Sequence, residues 1–194
     1  MTTVLALDIG TKTGWALHQP GMERPFFGTL PLPASPLEVG APILALHEFL
    51  SDRHQMHGGL TDIVFEAQHM GTPGKPDPET GKRKGGIDMN VVYKLCALGG
   101  HVEYFAHCVH AKCFKVYIGT WRKHFCGSGR LNRKQAKMSA IDECNRIGID
   151  PPDDNAAEAM GILDYYLSLK RIDGKPYPRP WRDAGFFTPL GHHA

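Results

Sequence analysis

Residues 3–15 read TVLALDIGTKTGW, an apolar run that holds one acid, Asp8, ahead of a turn at Gly10-Thr11. Continuous apolar runs of this length, bounded by a turn signal, are typical of buried strands. A second strand is predicted at residues 14–18 and a third at residues 26–30, which together make an antiparallel meander. A carboxylate inside a buried strand is costly unless another group compensates it. Asp8 is therefore a candidate functional residue.

The rest of the chain adds helices and a few short strands to this meander. The predicted helices span residues 37–54, 87–98, 132–147 and about 153–170, and further strands are predicted at 62–66, 101–105 and 115–118. This order predicts an α/β fold, with a mixed sheet covered by helices on both faces. We expect one domain over residues 1–172, including a long basic loop at 69–86, and a C-terminal tail at 173–194.

The composition is that of an ordinary globular domain. The 194 residues are 42% hydrophobic, yet no apolar run approaches the roughly 18 residues that span a membrane. The N-terminus lacks the positive segment of a secretory signal. Five cysteines form no regular framework, which argues against a disulfide-built secreted protein. We expect reduced thiols and a cytoplasmic protein with no membrane partner.

The basic residues are distributed unevenly, although the net charge is only +2. No Asp or Glu occurs between Glu103 and Asp142, and a second basic cluster lies in the loop. The basic residues of these two segments are Lys82, Arg83, Lys84, Lys112, Lys115, Arg122, Lys123, Arg130, Arg133, Lys134 and Lys137. One-sided positive charge predicts contacts with a phosphate backbone. The alternative is a solvated face whose balancing acids come from other segments.

Acids stand at three predicted element boundaries. Asp8 lies in the first strand, Glu66 ends the strand at 62–66, and the last helix begins with Asp153-Asp154. Glu158 follows Asp154 by four residues and therefore shares its helix face. Each acid alone has a structural explanation, as a turn residue, a solvated strand end or a helix cap. Their joint presence in this order is the stronger signal.

Three segments carry a resemblance to the RuvC-like resolvases of the RNase H-like superfamily. They are residues 5–15 (LALDIGTKTGW), 63–66 (IVFE) and 154–159 (DNAAEA), and the resemblance covers roughly residues 3–170. It implies an RNase H-like, five-stranded mixed sheet flanked by helices. It also implies a homodimeric endonuclease that cuts branched DNA, above all four-way (Holliday) junctions.

The resemblance implies a metal site as well. Asp8, Glu66, Asp154 and Glu158 would hold two Mg²⁺ or Mn²⁺ ions, with Asp153 in reserve. Many relatives have Asp where this chain has Glu158, and the longer arm shifts the position of one metal. Hard cations take oxygen ligands, and two ions about 4 Å apart can clamp an in-line displacement at phosphorus.

The resemblance also concerns the basic residues. A Lys near the start of the helix after residues 121–130 assists the site in similar resolvases. Lys134, with Lys137 as the other candidate, would be that residue here. The expected phosphate contacts are Lys82, Arg83, Lys84, Lys115, Arg122, Lys123, Arg130, Arg133 and Lys137.

Other functions remain open at this point. The DxGTxT pattern from Asp8 also begins the phosphate loop of sugar kinases and actin, but those proteins need two such domains. A relative that processes ribosomal RNA precursors starts similarly, though that group is usually shorter and lacks a long basic insertion. Action on RNA or RNA–DNA hybrids, and a non-catalytic nucleic-acid-binding module, also fit the fold. A zinc site among His101, His107, Cys108, His110 and Cys113 lacks the usual ligand spacing.

Overall fold

A computed structural model describes residues 2–34, 38–68, 75–76, 83–84 and 88–183. The strands are β1 (Val4–Asp8), β2 (Lys12–His18), β3 (Phe26–Pro31), β4 (Asp62–Glu66), β5 (Lys75–Pro76), β6 (Arg83–Lys84), β7 (Lys112–Val116), β8 (Arg171–Ile172) and β9 (Lys175–Pro176). The helices are α1 (Gly40–Met56), α2 (Met89–Cys108), α3 (Ile118–Phe125), α4 (Arg133–Arg146), α5 (Asp154–Leu169) and α6 (Pro180–Asp183).

The central sheet has five strands in the order β3-β2-β1-β4-β7. The first three strands form the predicted antiparallel meander, and β4 and β7 add to it in parallel. In the β1–β4 pair, Leu7 lies opposite Phe65. Because the two strands run in the same direction, the following residues, Asp8 and Glu66, end side by side at one edge. The α/β class with a mixed sheet is confirmed.

Helices cover both faces of the sheet. Successive side chains of a strand point to opposite faces, so β1 contributes to two cores. Val4 and Ala6 pack with α5 and with residues of α3 and α4, while Leu5 and Leu7 pack with α1 and α2. All four side chains are fully buried. This two-sided burial explains why β1 is a continuous apolar run rather than an alternating one.

Helix α5 crosses the sheet at very close range, which brings its N-terminus to the edge where Asp8 lies. A Cβ atom on Gly14 would stand 1.9 Å from the backbone oxygen of Asn155. No side chain fits there, so glycine is required for this approach. The facing surface of α5 begins with the small residues Ala156, Ala157 and Ala159, all fully buried.

Three parts of the sequence-based prediction were wrong in detail. The strand expected at residues 101–105 is helical, because α2 continues to Cys108 past Gly99 and Gly100. Gly99 is buried, and a Cβ there would contact the Phe65 ring, so its small size serves packing and does not break the helix. Strand β7 begins at Lys112, three positions before the expected start. Helix α3 was not predicted at all.

The C-terminal part of the described chain is attached firmly to the domain. Tyr177 and Trp181 are buried in the core next to His18, and Tyr177 and His18 form a 3.1 Å hydrogen bond. Asp164, fully buried on α5, accepts hydrogen bonds from Trp181 and Arg182. Residues 177–182 of the predicted tail thus contact the domain body, and residues 184–194 lie outside the described residues. In the described ranges, no helix is long and apolar enough to cross a membrane.

Candidate active site

Four carboxylates line one cleft of about 520 Å³ at the edge where β1 and β4 end. Asp8 and Glu66 come from the ends of these strands, and Asp154 and Glu158 come from the first two turns of α5. The cleft is lined by Asp8, Ile9, Gly10, Thr11, Lys12, Glu66, Val91, Leu95, Arg122, Arg133, Lys137, Asp154, Asn155 and Glu158. The acids singled out in the sequence are thus brought together by the fold.

Asp153 has a different position from Asp154. It is the N-cap of α5, where its Oδ1 accepts the backbone N–H of Ala156 at 2.9 Å and the Thr29 hydroxyl at 2.6 Å. Burial would raise the Asp153 pKa, but these hydrogen bonds outweigh it and hold the pKa below its ordinary value. Asp153 does not line the cleft, so the geometry favours Asp154 as the functional acid.

Two cations are already in contact with two of the acids. The Arg122 guanidinium lies 2.5 Å from Oε1 of Glu158, and both side chains are largely buried. The Lys137 ammonium contacts Oδ2 of Asp154. Asp8 has no hydrogen-bond or ion-pair partner in the part of the chain that the structure describes. The charges of the cleft are therefore only partly balanced by the protein itself.

Trp121 donates a hydrogen bond to Glu66, the fourth acid of the cleft. This residue of α3 is fully buried, and its indole Nε1 donates a 2.8 Å hydrogen bond to Oε2 of Glu66. The ring occupies space left by Gly161 on α5, where a Cβ would lie 2.7 Å from it. The sequence analysis did not single out Trp121, because nothing local indicates its contact with Glu66. Its proximity to the acidic cleft depends on the position of α3, a helix that the sequence did not predict.

Burial, with a smaller contribution from nearby negative charge, raises the pKa values of the two strand acids. Burial raises the pKa of Asp8 well above its usual range, and the charges of Glu158 and Glu66 raise it further. The nearby Arg122 and Lys137 lower it, but by less. Burial also raises the pKa of Glu66, against the opposing effect of the Trp121 hydrogen bond. Raised carboxyl pKa values in a cleft are a recognised signal of a functional site.

The donor set suits a hard divalent cation by its chemistry. All four side chains offer carboxylate oxygens, the ligands that Mg²⁺ and Mn²⁺ prefer, and Asp8 lacks a contacting cation. In the described ranges, however, no three His, Cys, Asp or Glu side chains already stand in metal-binding arrangement. The fit to such an ion therefore lies in the chemistry of the donor atoms and not in a preformed arrangement. The same finding lends no support to a zinc site near His101.

The predicted basic residues fall into three groups. Arg122, Arg133 and Lys137 line the cleft. The exposed cations elsewhere on or beside α3 and α4 are Lys123, Arg130 and Lys134. Lys115 lies on the edge strand β7, where it pairs with Glu103 at 2.5 Å.

The structure places Lys137, not the favoured Lys134, in contact with a cleft acid. Lys137 is partly buried and lines the cleft, whereas Lys134 is exposed and does not line it. Lys82 lies outside the described residues, as do the side chains of Arg83 and Lys84.

Replacing Asp8 with Asn should stabilise the metal-free protein at neutral pH. Because the folded-state pKa of Asp8 is raised, the ionised form is disfavoured by folding, and the neutral amide removes that penalty. The gain should be largest at pH 7 and shrink as the pH falls towards the ordinary Asp pKa of about 4. Each 1 kcal/mol relieved raises Tm by about 2–4 °C for a chain of this size.

The measurement is thermal unfolding in EDTA at several pH values. The matched control is Asp52→Asn, which removes an exposed carboxylate on α1. An Asp8→Asn Tm equal to or below that of the parent at pH 7 contradicts the predicted charge penalty.

Replacing Trp121 with Phe should raise the pKa of Glu66 still further. The substitution keeps a buried ring but removes the indole N–H that donates to the ionised Glu66. Carboxyl ¹³C NMR titration of the metal-free protein measures the change. The control is Trp181→Phe, another buried Trp, whose N–H bonds Asp164 instead. An unchanged Glu66 titration in Trp121→Phe would show that the hydrogen bond is unimportant.

Comparison with known proteins bears on the fold. No protein-family model matches the sequence, and no curated protein is significantly similar to it. RuvC of T. thermophilus in complex with a Holliday junction substrate is similar at a TM-score of 0.58 and 15% identity, over 85% of this chain and 92% of that one. A second structure of Thermus thermophilus RuvC is similar at a TM-score of 0.52 and 16% identity, over 85% of this chain and 95% of that one. The chain therefore has the fold of RuvC, which confirms the predicted RNase H-like architecture.

Proposed function

We propose that this protein is a divalent-metal-dependent endonuclease that cuts branched DNA, with four-way junctions as its substrate. One observation carries the proposal: β1, β4 and α5 deliver four carboxylates to a single cleft with Arg133 and Lys137 at its side. The cleft lies in the fold of RuvC, a protein whose structure is known with a Holliday junction substrate. A purely structural role does not explain why one buried acid and three partly buried acids meet at one sheet edge.

The proposed metal ligands are Asp8, Glu66, Asp154 and Glu158. A divalent ion such as Mg²⁺ or Mn²⁺ supplies an activated water and stabilises charge on the leaving oxygen when bound. The chain itself orients the ligands: Trp121 holds Glu66, and the N-cap of Asp153 holds the first turn of α5. The resemblance implies two ions per site.

The proposed DNA surface surrounds this cleft. Arg133 and Lys137 reach it directly, and we assign to Lys137 the assisting role first expected of Lys134. Exposed Lys123, Lys134 and Arg130 extend the positive charge along α3 and α4. Contacts with phosphates position a duplex arm and make the affinity fall with salt. Lys115 contributes less in this proposal because it is paired with Glu103.

Resolution of a junction requires two cuts in strands related by symmetry. One domain offers one cleft, so the proposal includes a homodimer that presents two clefts. The five free cysteines, of which Cys144 is buried, suit a reducing compartment such as the cytoplasm.

A gel assay with labelled substrates tests the proposed function. Purified protein is incubated with a four-way junction, a linear duplex and an RNA–DNA hybrid, each with Mg²⁺ and with EDTA. We expect Mg²⁺-dependent paired nicks in the junction alone. Asp8→Asn should reduce cutting to background and leave junction binding nearly intact, because it removes a metal ligand and not a phosphate contact.

The control variant Asp52→Asn should cut at the parent rate. Cutting of the hybrid alone would move the activity to the ribonuclease H type. Tight junction binding without any cutting would identify a non-catalytic binding module. Parent-rate cutting by Asp8→Asn would overturn the proposed site.

A further inference from the structure

Arg122 lies inside the acidic cleft and is largely buried, whereas a residue that contacts phosphates from the protein surface can remain exposed. Its side chain is only 13% exposed, and its partner Glu158 is 8% exposed. The guanidinium also lies over the ring of the adjacent Trp121, 5.2 Å from the ring centroid. Trp121 is itself locked against Gly161 on α5. Arg122 is therefore a built-in part of the cleft.

The charges of the contacting groups leave room for one divalent cation. Four carboxylates line the cleft, and two of them, Asp154 and Glu158, contact Lys137 and Arg122. Asp8 and Glu66 remain without a contacting cation among the described residues, and the Trp121 partner of Glu66 is neutral. A single divalent ion between these two carboxylates balances their negative charges. Lys12 and Arg133 also line the cleft, but within the described residues neither contacts any of the four acids.

A second ion at Glu158 would meet a permanent positive charge. Arginine stays protonated at all physiological pH values, so the guanidinium cannot become neutral to admit a metal. An ion bound to Glu158 must therefore displace Arg122 or lie against a like charge. Displacement is costly, because breaking a buried ion pair leaves an uncompensated buried charge. The Nε–H of Arg122 already lacks a hydrogen-bond acceptor within the described residues.

We propose that Arg122 occupies the place of the second divalent ion in the free protein, so that each cleft binds one ion, through Asp8 and Glu66. The proposal rests on the proposed metal dependence, and for the DNA-free protein it revises both the ion count that the resemblance implies and the set of four ligands proposed above. Glu158 then acts as the anchor of Arg122 and not as a metal ligand before DNA binds. Arg122 is a positioning residue whose charge sets the stoichiometry of the site.

The test is the stoichiometry of Mn²⁺ binding to the DNA-free protein. Electron paramagnetic resonance measures free Mn²⁺ during a titration, without any need for enzyme activity. We expect one ion per chain for the parent. Arg122→Gln should add a second ion, with an affinity at least about tenfold above any second binding by the parent. The control Arg171→Gln makes the same exchange at an exposed position on β8 and should leave one ion.

A second variant covers the case in which Arg122→Gln fails to fold. The double variant Arg122→Gln/Glu158→Gln removes both partners and so leaves no unpaired buried charge. It should bind one ion with the parent affinity, because Glu158 is not a ligand of that ion. Loss of that ion in the double variant, with circular dichroism showing a folded chain, would overturn the proposal.

The remaining outcomes are equally decisive. Two ions of similar affinity in the parent, or a single ion in folded Arg122→Gln, would overturn the role of Arg122 and leave the proposed nuclease function standing. Absence of any Mn²⁺ binding by the parent would overturn both this inference and the metal dependence on which it rests.

Discussion

Repulsion between carboxylates at the ends of β1 and β4 is the constraint on which the site depends. The parallel pairing of these strands places Asp8 and Glu66 side by side, and α5 brings Glu158 into the same cleft. Burial raises the pKa values of Asp8 and Glu66, and the negative charge of Glu158 raises both of them further. Positive charge must enter the cleft for all of them to ionise together. The protein supplies part of that charge through Arg122 and Lys137, and we propose that a divalent ion supplies the rest.

The packing of the domain serves this charge arrangement. Helix α5 can bring its acids to the sheet edge because Gly14 lets the backbone at Asn155 approach without a side chain between them. Helix α3 reaches the same cleft because Gly161 leaves space for the Trp121 ring. Both glycines face backbone or ring atoms at distances that no Cβ tolerates. The core and the site therefore depend on the same close contacts. A side chain at Gly14 or Gly161 should disturb both the packing of the core and the position of the acids.

Much of the fold was predictable because its signals are local. The apolar run around Asp8, the strand ending at Glu66 and the Pro-Pro-Asp-Asp start of α5 each carry their own turn or cap chemistry. The continuation of α2 through Gly99 was not predictable, because the fit of that glycine against Phe65 is a tertiary contact. Helix α3 lacks a side-chain N-cap, so no local sequence signal indicates where it begins.

The candidate site was predictable as a set of acids but not as a charge network. A basic stretch without acids suggests phosphate contacts, and the sequence cannot tell that Arg122 is buried against Glu158. The choice between Lys134 and Lys137 depends on the rotation of α4 relative to α5, which only the packed structure shows. The N-cap role of Asp153 was one of two readings from sequence, and its bonds to Thr29 and Ala156 decide between them.

The most direct test of the metal centre is anomalous diffraction from crystals of the protein grown with Mn²⁺. Data collected at the manganese absorption edge locate the ion independently of any activity. Our account predicts an anomalous peak in the cleft, in contact with the carboxylates of Asp8 and Glu66. An ordered cleft with no anomalous peak at saturating Mn²⁺ would contradict it.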